Sequence, residues 1–240
     1  MDHATSDGIR LHVETHGEDA NPTVVLAHGL AASTAMWGGV IPELVRHGLR
    51  VVAFDMRGHG RSDAPRGEEH YGDQRMAADL IEVVDGFVGP EAVAVGYSMG
   101  AGITLVALEA GLSVRGAVVG AAPPAVLRWT ETDEQRRAAA VAALRQGPGA
   151  SADMAAWASS LGPGRFAMAD LLAGHKPVVQ HWERIRVPVV VLAGDRDALA
   201  APAEEIAARL PLARAVPLAG DHFTAFASRT FLDAIVEAAA

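Results

Sequence analysis

Ser98 stands in Gly96-Tyr97-Ser98-Met99-Gly100, between an apolar run at 92–95 and an alanine- and leucine-rich run at 101–110. The first run has strand character and the second reads as a helix, so a G-x-S-x-G turn joins strand to helix. A turn this sharp strains its central residue and lifts the serine hydroxyl towards a cleft. The flanking glycines leave room for neighbouring backbone. A serine hydroxyl is a weak nucleophile near neutral pH. It needs a base, a group that orients the base, and donors for a developing oxyanion. His222, in Gly220-Asp221-His222-Phe223, follows a strand-like run at 213–218, and Asp197, in Gly194-Asp195-Arg196-Asp197, follows another at 187–193. In a parallel sheet such strand ends lie along one edge, so residues far apart in sequence converge.

The elements that would place these residues alternate along the chain. Residues 8–16 alternate apolar and polar, which reads as an antiparallel edge hairpin or strand. The continuous apolar run at 23–27 suits a strand buried on both faces, 92–95 is a short apolar run of strand character, 50–54 reads as a further strand, and 114–119 as another buried one. Between them, residues 36–46 have helical spacing, with the helix start set near Pro42, and 75–88 form an amphipathic pattern. The rhythm breaks at 122–186, where no strand is evident. Helix patterns run over 131–145, 152–161 and 166–173, punctuated by Gly-Pro-Gly at 147–149 and 162–164. Strand returns at 187–193 and 213–218, with helices at 203–210 and 224–238. This pattern predicts an α/β fold with a mostly parallel, doubly wound sheet. Its core would comprise residues 1–121 and 187–240, with residues 122–186 inserted as a small helical cap.

Composition narrows the function. The chain has 240 residues, half of them hydrophobic, enough to bury a sizeable core. No apolar run approaches the roughly 20 residues of a membrane helix, so no membrane partner is expected. The net charge of −9 disfavours nucleic acid. With no cysteine there is neither a disulfide nor a thiolate nucleophile. Residues 1–7 show neither the basic region nor the apolar core of a signal peptide, so a cytoplasmic location is expected.

Five motifs occur in order: His28-Gly29-Leu30, then Asp55-Met56-Arg57-Gly58-His59-Gly60-Arg61-Ser62, the Ser98 turn, Gly194-Asp195-Arg196-Asp197 and Gly220-Asp221-His222. Together they resemble the α/β-hydrolase superfamily from about residue 8 to 238, including its chain order of serine, acid and histidine. The resemblance implies Ser98 as nucleophile, His222 as base and Asp197 as the residue that orients it. It also implies an oxyanion hole from the backbone N–H groups of Leu30 and Met99, the second of which opens a helix and is free to donate. Asp195 and Asp221 are the rival acids. Asp221 adjoins the histidine, and adjacent side chains of an extended segment point apart. Asp195 directly follows the strand end and suits a hydrogen bond to its own turn. Asp197 matches the G-x-x-D spacing of the resemblance.

The remaining polar motifs read as structural. His28 shapes the oxyanion loop, and residues 57–62 form a hydrogen-bonded turn that supports it. Gly58-His59-Gly60 lacks the lysine of a phosphate loop, and no HExxH or similar set of metal ligands is present. Most of the apolar cap residues should pack the cap onto the core. Trp129, Trp157 and Phe166 are the candidates to line an apolar substrate pocket. Arg128, Arg136, Arg137 and Arg145 read as solvated helix faces.

The expectation is a serine hydrolase acting on a small carboxylic ester or lactone through an acyl-enzyme, without metal or other cofactor. Epoxide hydrolases and haloalkane dehalogenases resemble this chain but carry aspartate at the elbow, where Ser98 stands. Carbon–carbon bond hydrolases usually carry a glycine-rich oxyanion loop, from which Leu30-Ala31-Ala32 departs. A thioesterase or perhydrolase would use the same triad. A receptor-like homologue that binds a ligand with little turnover is the reading from another class.

Overall fold

Short apolar runs build the centre of the sheet, and the segments between them cover its faces. The computed structural model describes residues 1–146 and 164–240. The chain opens with β1 (Asp2–Ala4) and β2 (Arg10–His16), followed by β3 (Thr23–Ala27), α1 (Ile41–Arg46) and β4 (Arg50–Phe54). Then come α2 (Asp73–Phe87), β5 (Val93–Tyr97), α3 (Met99–Glu109) and β6 (Gly116–Gly120). After β6 lie α4 (Glu131–Gln146) and α5 (Arg165–Gly174). The chain closes with β7 (Val189–Gly194), α6 (Ala203–Ala207), β8 (Ala213–Leu218) and α7 (Arg229–Ala239).

The described strands form one sheet in the order β1-β2-β4-β3-β5-β6-β7-β8. The β1–β2 and β2–β4 pairs are antiparallel and all others are parallel. From β3 the chain goes to β4 on one side and then returns to β5 on the other. That reversal opens a crevice at the carboxyl ends of β3 and β5, where ligands of open α/β sheets bind. Pleating sends alternate residues to opposite faces. Val25, Ala27, Val52 and Phe54 pack with α2 and α3, while Val24, Leu26, Val51 and Ala53 pack with α1 and α7. Every residue of α3 from Met99 to Leu108 is buried, as its composition without a polar face requires.

Several element ends differ from the sequence reading for local reasons. The 36–46 pattern divides into a 3₁₀ turn (Thr34–Trp37) and α1, with Pro42 in the first helical turn, where its missing N–H costs nothing. The closing helix likewise begins with a separate turn (Ala225–Ala227). Ser228 then caps α7 by accepting the Phe231 N–H at 3.2 Å. The three-residue β1 is too short and polar to show in the sequence and exists through its pairing with β2.

No strand occurs between β6 and β7 among the described residues, and the helix expected over 152–161 lies outside them. α5 buries Met168, Leu171 and Leu172 in the same apolar cluster as α2 and α3. Its Asp170 carboxylate, buried, accepts Arg66 Nε at 3.1 Å, the Gly67 N–H at 3.0 Å and Arg145 at 3.0 Å. Arg145 therefore ties the helices to the core loop and is not a purely solvated charge; Arg137 is similarly bound to the Ala173 carbonyl and Glu134. No described helix is long and apolar enough to cross a membrane.

Candidate active site

β5 runs straight into Ser98, whose φ of 55° and ψ of −119° put a non-glycine residue in the left-handed half of the map. The elbow is tight enough to dictate its glycines. A Cβ on Gly96 would lie 2.3 Å from the Gly100 carbonyl oxygen, and one on Gly100 would lie 2.2 Å from that of Ala27. The strained turn thus sits directly against the end of β3 and delivers the Ser98 hydroxyl to the crevice.

The loops after β7 and β8 meet it there. His222 Nε2 is 2.9 Å from Ser98 Oγ, and His222 Nδ1 is 2.8 and 3.0 Å from the two carboxylate oxygens of Asp197. The Asp197 side chain is fully buried, and its Oδ1 also accepts the N–H groups of Leu199 at 2.9 Å and Ala200 at 3.1 Å. Acceptors on the Nδ1 side assign the imidazole proton to Nδ1, which leaves Nε2 free to take the serine proton. Tyr97, beside the serine, donates its hydroxyl to the His222 carbonyl at 2.9 Å and steadies that loop. The rival carboxylates are engaged elsewhere. Asp195 accepts the Gly220 N–H at 2.8 Å, and Asp221 accepts from the Phe223 and Thr224 backbone N–H groups and the Thr224 hydroxyl. The Thr224 hydroxyl bond and the backbone bond from Phe223 hold the Asp221 carboxyl below its ordinary pKa.

Across the crevice, the loop after β3 presents Leu30. Two buried histidines brace it. His28 Nδ1 donates to the Gly29 carbonyl at 2.8 Å, while its Nε2 accepts the Met56 N–H at 3.0 Å. The 29–30 peptide is trans, so the bond to the Gly29 carbonyl constrains the opposite direction of the Leu30 N–H from one side of that residue. His59 accepts the Ala31 N–H at 3.1 Å on Nε2 and donates from Nδ1 to the Arg57 carbonyl at 3.1 Å. Burial lowers the His28 pKa to about 4; burial and the adjacent His28 lower that of His59 to about 3. Both rings are therefore neutral near pH 7, as their acceptor roles require. Asp55, also buried, accepts the Thr34 N–H at 2.6 Å and the Arg61 N–H at 2.8 Å. Residues 57–62, read from the sequence as a supporting turn, are hydrogen-bonded in this way, with Asp55 joined to them through the Arg61 N–H. Neither Leu30 nor Met99 donates its N–H to a protein acceptor among the described residues.

A cavity of about 400 Å³ opens beside Ser98 and His222. Its walls include Leu30, Met36, Leu199, Phe223 and Phe226, and no Asp, Glu, Lys or Arg side chain lines it among the described residues. Trp129 and Phe166 are not part of it. Trp129 lines a separate cavity of about 800 Å³ with Tyr71, Gln74 and Lys176, and its indole N–H donates to Glu134 at 3.0 Å. Phe166 lies under the guanidinium groups of Arg66 and Arg165, 4.7 and 4.1 Å from its centroid. Both rings thus have polar or cationic partners of their own, and neither lines the cavity beside Ser98. Trp157 lies outside the described residues. Among the described residues the larger cavity presents no nucleophile paired with a base, whereas the smaller one presents Ser98 beside His222. Sequence reasoning missed Leu199 and Phe223, although they stand two residues after Asp197 and one after His222.

The comparisons agree with this architecture. Epoxide hydrolase A of Mycobacterium tuberculosis is 40% identical over 96 residues, covering 40% of this chain and 30% of that protein. The chain spans about a third of the length of the curated relatives it matches. Among solved structures, an esterase from Exiguobacterium antarcticum superposes with a TM-score of 0.81 at 21% identity, covering 100% of this chain and 98% of the other. An enol-lactonase from Burkholderia xenovorans LB400 gives 0.78 at 22% identity, with 99% of each chain covered. At such identities the likeness is one of fold. A family model described as the alpha/beta hydrolase fold matches residues 22–167, more than half of the chain, and the protein belongs to that family.

Proposed function

We propose that the protein is a serine hydrolase that cleaves a small, uncharged carboxylic ester or lactone. The observation that carries this reading is the unbroken hydrogen-bond chain from Ser98 through His222 to Asp197, at 2.9 and 2.8 Å. Ser98 Oγ attacks the carbonyl carbon while His222 Nε2 takes its proton, and Asp197 stabilises the imidazolium. The N–H groups of Leu30 and Met99 receive the oxyanion. Collapse of the tetrahedral intermediate breaks the bond to the alkoxy oxygen, which leaves with the proton from His222. Water then attacks the acyl-enzyme with His222 again as base, releasing the acid and restoring Ser98. Residues 1–121 and 187–240 supply all of these groups, and residues 122–186 are read as a cap on that core. The apolar cavity favours an uncharged substrate.

The test is fluorophosphonate labelling together with turnover of chromogenic esters, lactones and thioesters. Wild-type protein should label and turn over, and Ser98→Ala should lose both, with activity down on the order of 10³-fold or more. A wild-type protein that neither labels nor turns over any of them would refute the reading. The epoxide hydrolase relatives support a second reading, epoxide opening. It needs a carboxylate nucleophile that the elbow does not offer, and an aryl epoxide added to the panel tests it.

A further inference from the structure

We propose that His59 is a positioning residue for the oxyanion hole, its neutral ring holding the Ala31 N–H so that Leu30 keeps its N–H aimed at the carbonyl oxygen beside Ser98. This inference rests on the hydrolase reading above. Ala31 has a φ of 57°, a left-handed conformation that a side chain with a Cβ resists, so the loop does not hold its shape unaided. Within the loop the backbone contributes a single tie at 3.2 Å, from the Ala32 N–H to the Gly29 carbonyl. His28 fixes the peptide plane before Leu30, and His59 fixes the plane after it. With both planes held, neither backbone torsion of Leu30 is free, and the direction of its N–H is set.

The turn that carries His59 is itself rigid. Gly60 has a φ of 52° and packs so closely on Asp55 that a Cβ there would lie 2.2 Å from Oδ2. The His59 N–H is bonded to the Met56 carbonyl at 3.0 Å, and Nδ1 to the Arg57 carbonyl, which leaves Nε2 as the acceptor facing the loop. His59 is only 5% exposed, so water cannot easily replace it at the Ala31 N–H. Its ring stands edge-on to that of His28 at 4.9 Å, and the two braces form one packed unit beneath the loop.

Two amides that mimic one ring nitrogen each provide the test. His59→Gln can present an oxygen near the position of Nε2 and keep the Ala31 bond. His59→Asn reaches only as far as Nδ1 and loses it. His59→Leu removes both. On a chromogenic ester, kcat should fall about 10- to 10²-fold in His59→Asn and His59→Leu, part of what outright loss of an oxyanion donor costs. KM should stay within about threefold, because the ground-state carbonyl gains little from the hole. His59→Gln should stay within about fivefold of wild type in kcat. Inhibition by an alkyl boronic acid, which forms a tetrahedral adduct on the serine, should weaken in step with kcat. Equal kcat in the Gln and Asn variants, or a loss confined to KM, would overturn the proposal. Should His59→Leu fail to fold, the Gln–Asn contrast decides alone. Wild-type turnover with unaffected variants refutes the role of His59 only, whereas a wild type without labelling or turnover removes the hydrolase reading and this inference with it.

Discussion

Replacing Asp197 by asparagine tests the mechanism where the structure makes a directional forecast. Oδ1 of Asp197 accepts two backbone N–H groups, from Leu199 and Ala200, as well as contacting His222. In the asparagine variant the amide oxygen is drawn to those two donors. Its NH₂ group must then face His222 Nδ1, which becomes an acceptor, and the ring proton moves to Nε2. That proton points at Ser98 Oγ, and the ring can no longer take the serine proton. The same inversion costs up to about 10⁴ in kcat in serine proteases, so a loss of at least about 10²-fold, near 2.7 kcal/mol of activation free energy, is expected here. Asp195→Asn should cost less than about 10-fold, because an amide oxygen still accepts the Gly220 N–H. The assay is kcat for an activated ester, with circular dichroism to show both variants folded. The reverse ranking, or Asp197→Asn within about 10-fold of wild type, would refute the assignment of the acid.

Other perturbations follow from the same contacts. His28 and His59 have folded pKa values depressed below 6.5, so their contribution to stability is complete above pH 6.5 and is lost as pH falls through the window towards 4 and 3. By pH 5 each ring should cost roughly 2 kcal/mol, visible as a falling Tm, and a Tm unchanged from pH 7.5 to 5 would contradict their burial as neutral groups. Leu199 and Phe223 are 57% and 75% exposed at the cavity mouth. Truncating either to alanine should raise KM for longer acyl or aryl esters about fivefold while leaving acetate esters unchanged, since each covers about 1 kcal/mol of apolar contact. Gly100→Ala drives a methyl group into the Ala27 carbonyl and should destabilise the fold by about 1–3 kcal/mol or more in urea unfolding; a variant as stable as wild type would show that the elbow has slack.

The order of the described strands and helices, β1 apart, and the elbow were legible in the sequence because they rest on local rules, while the catalytic candidates came from the order of motifs that the chain shares with a known family. Continuous Val/Ala runs make buried strands, Pro42 marks a helix start, and a G-x-S-x-G between strand and helix patterns suits a sharp elbow. Asp197 could be ranked above Asp195 before any coordinates because it matches the G-x-x-D spacing of the family resemblance, whereas Asp195 directly follows the strand end and suits a bond to its own turn. The lining of the site was not legible in the same way. Trp129 and Phe166 are as apolar as Phe223 and Phe226, and only packing between distant elements decides which of them face Ser98. The same holds for His59, whose ring meets Ala31 across 28 residues of chain, and for β1, which exists only against β2. Local sequence encodes backbone conformation, whereas which side chains share a cavity is set by tertiary contacts that no short window contains.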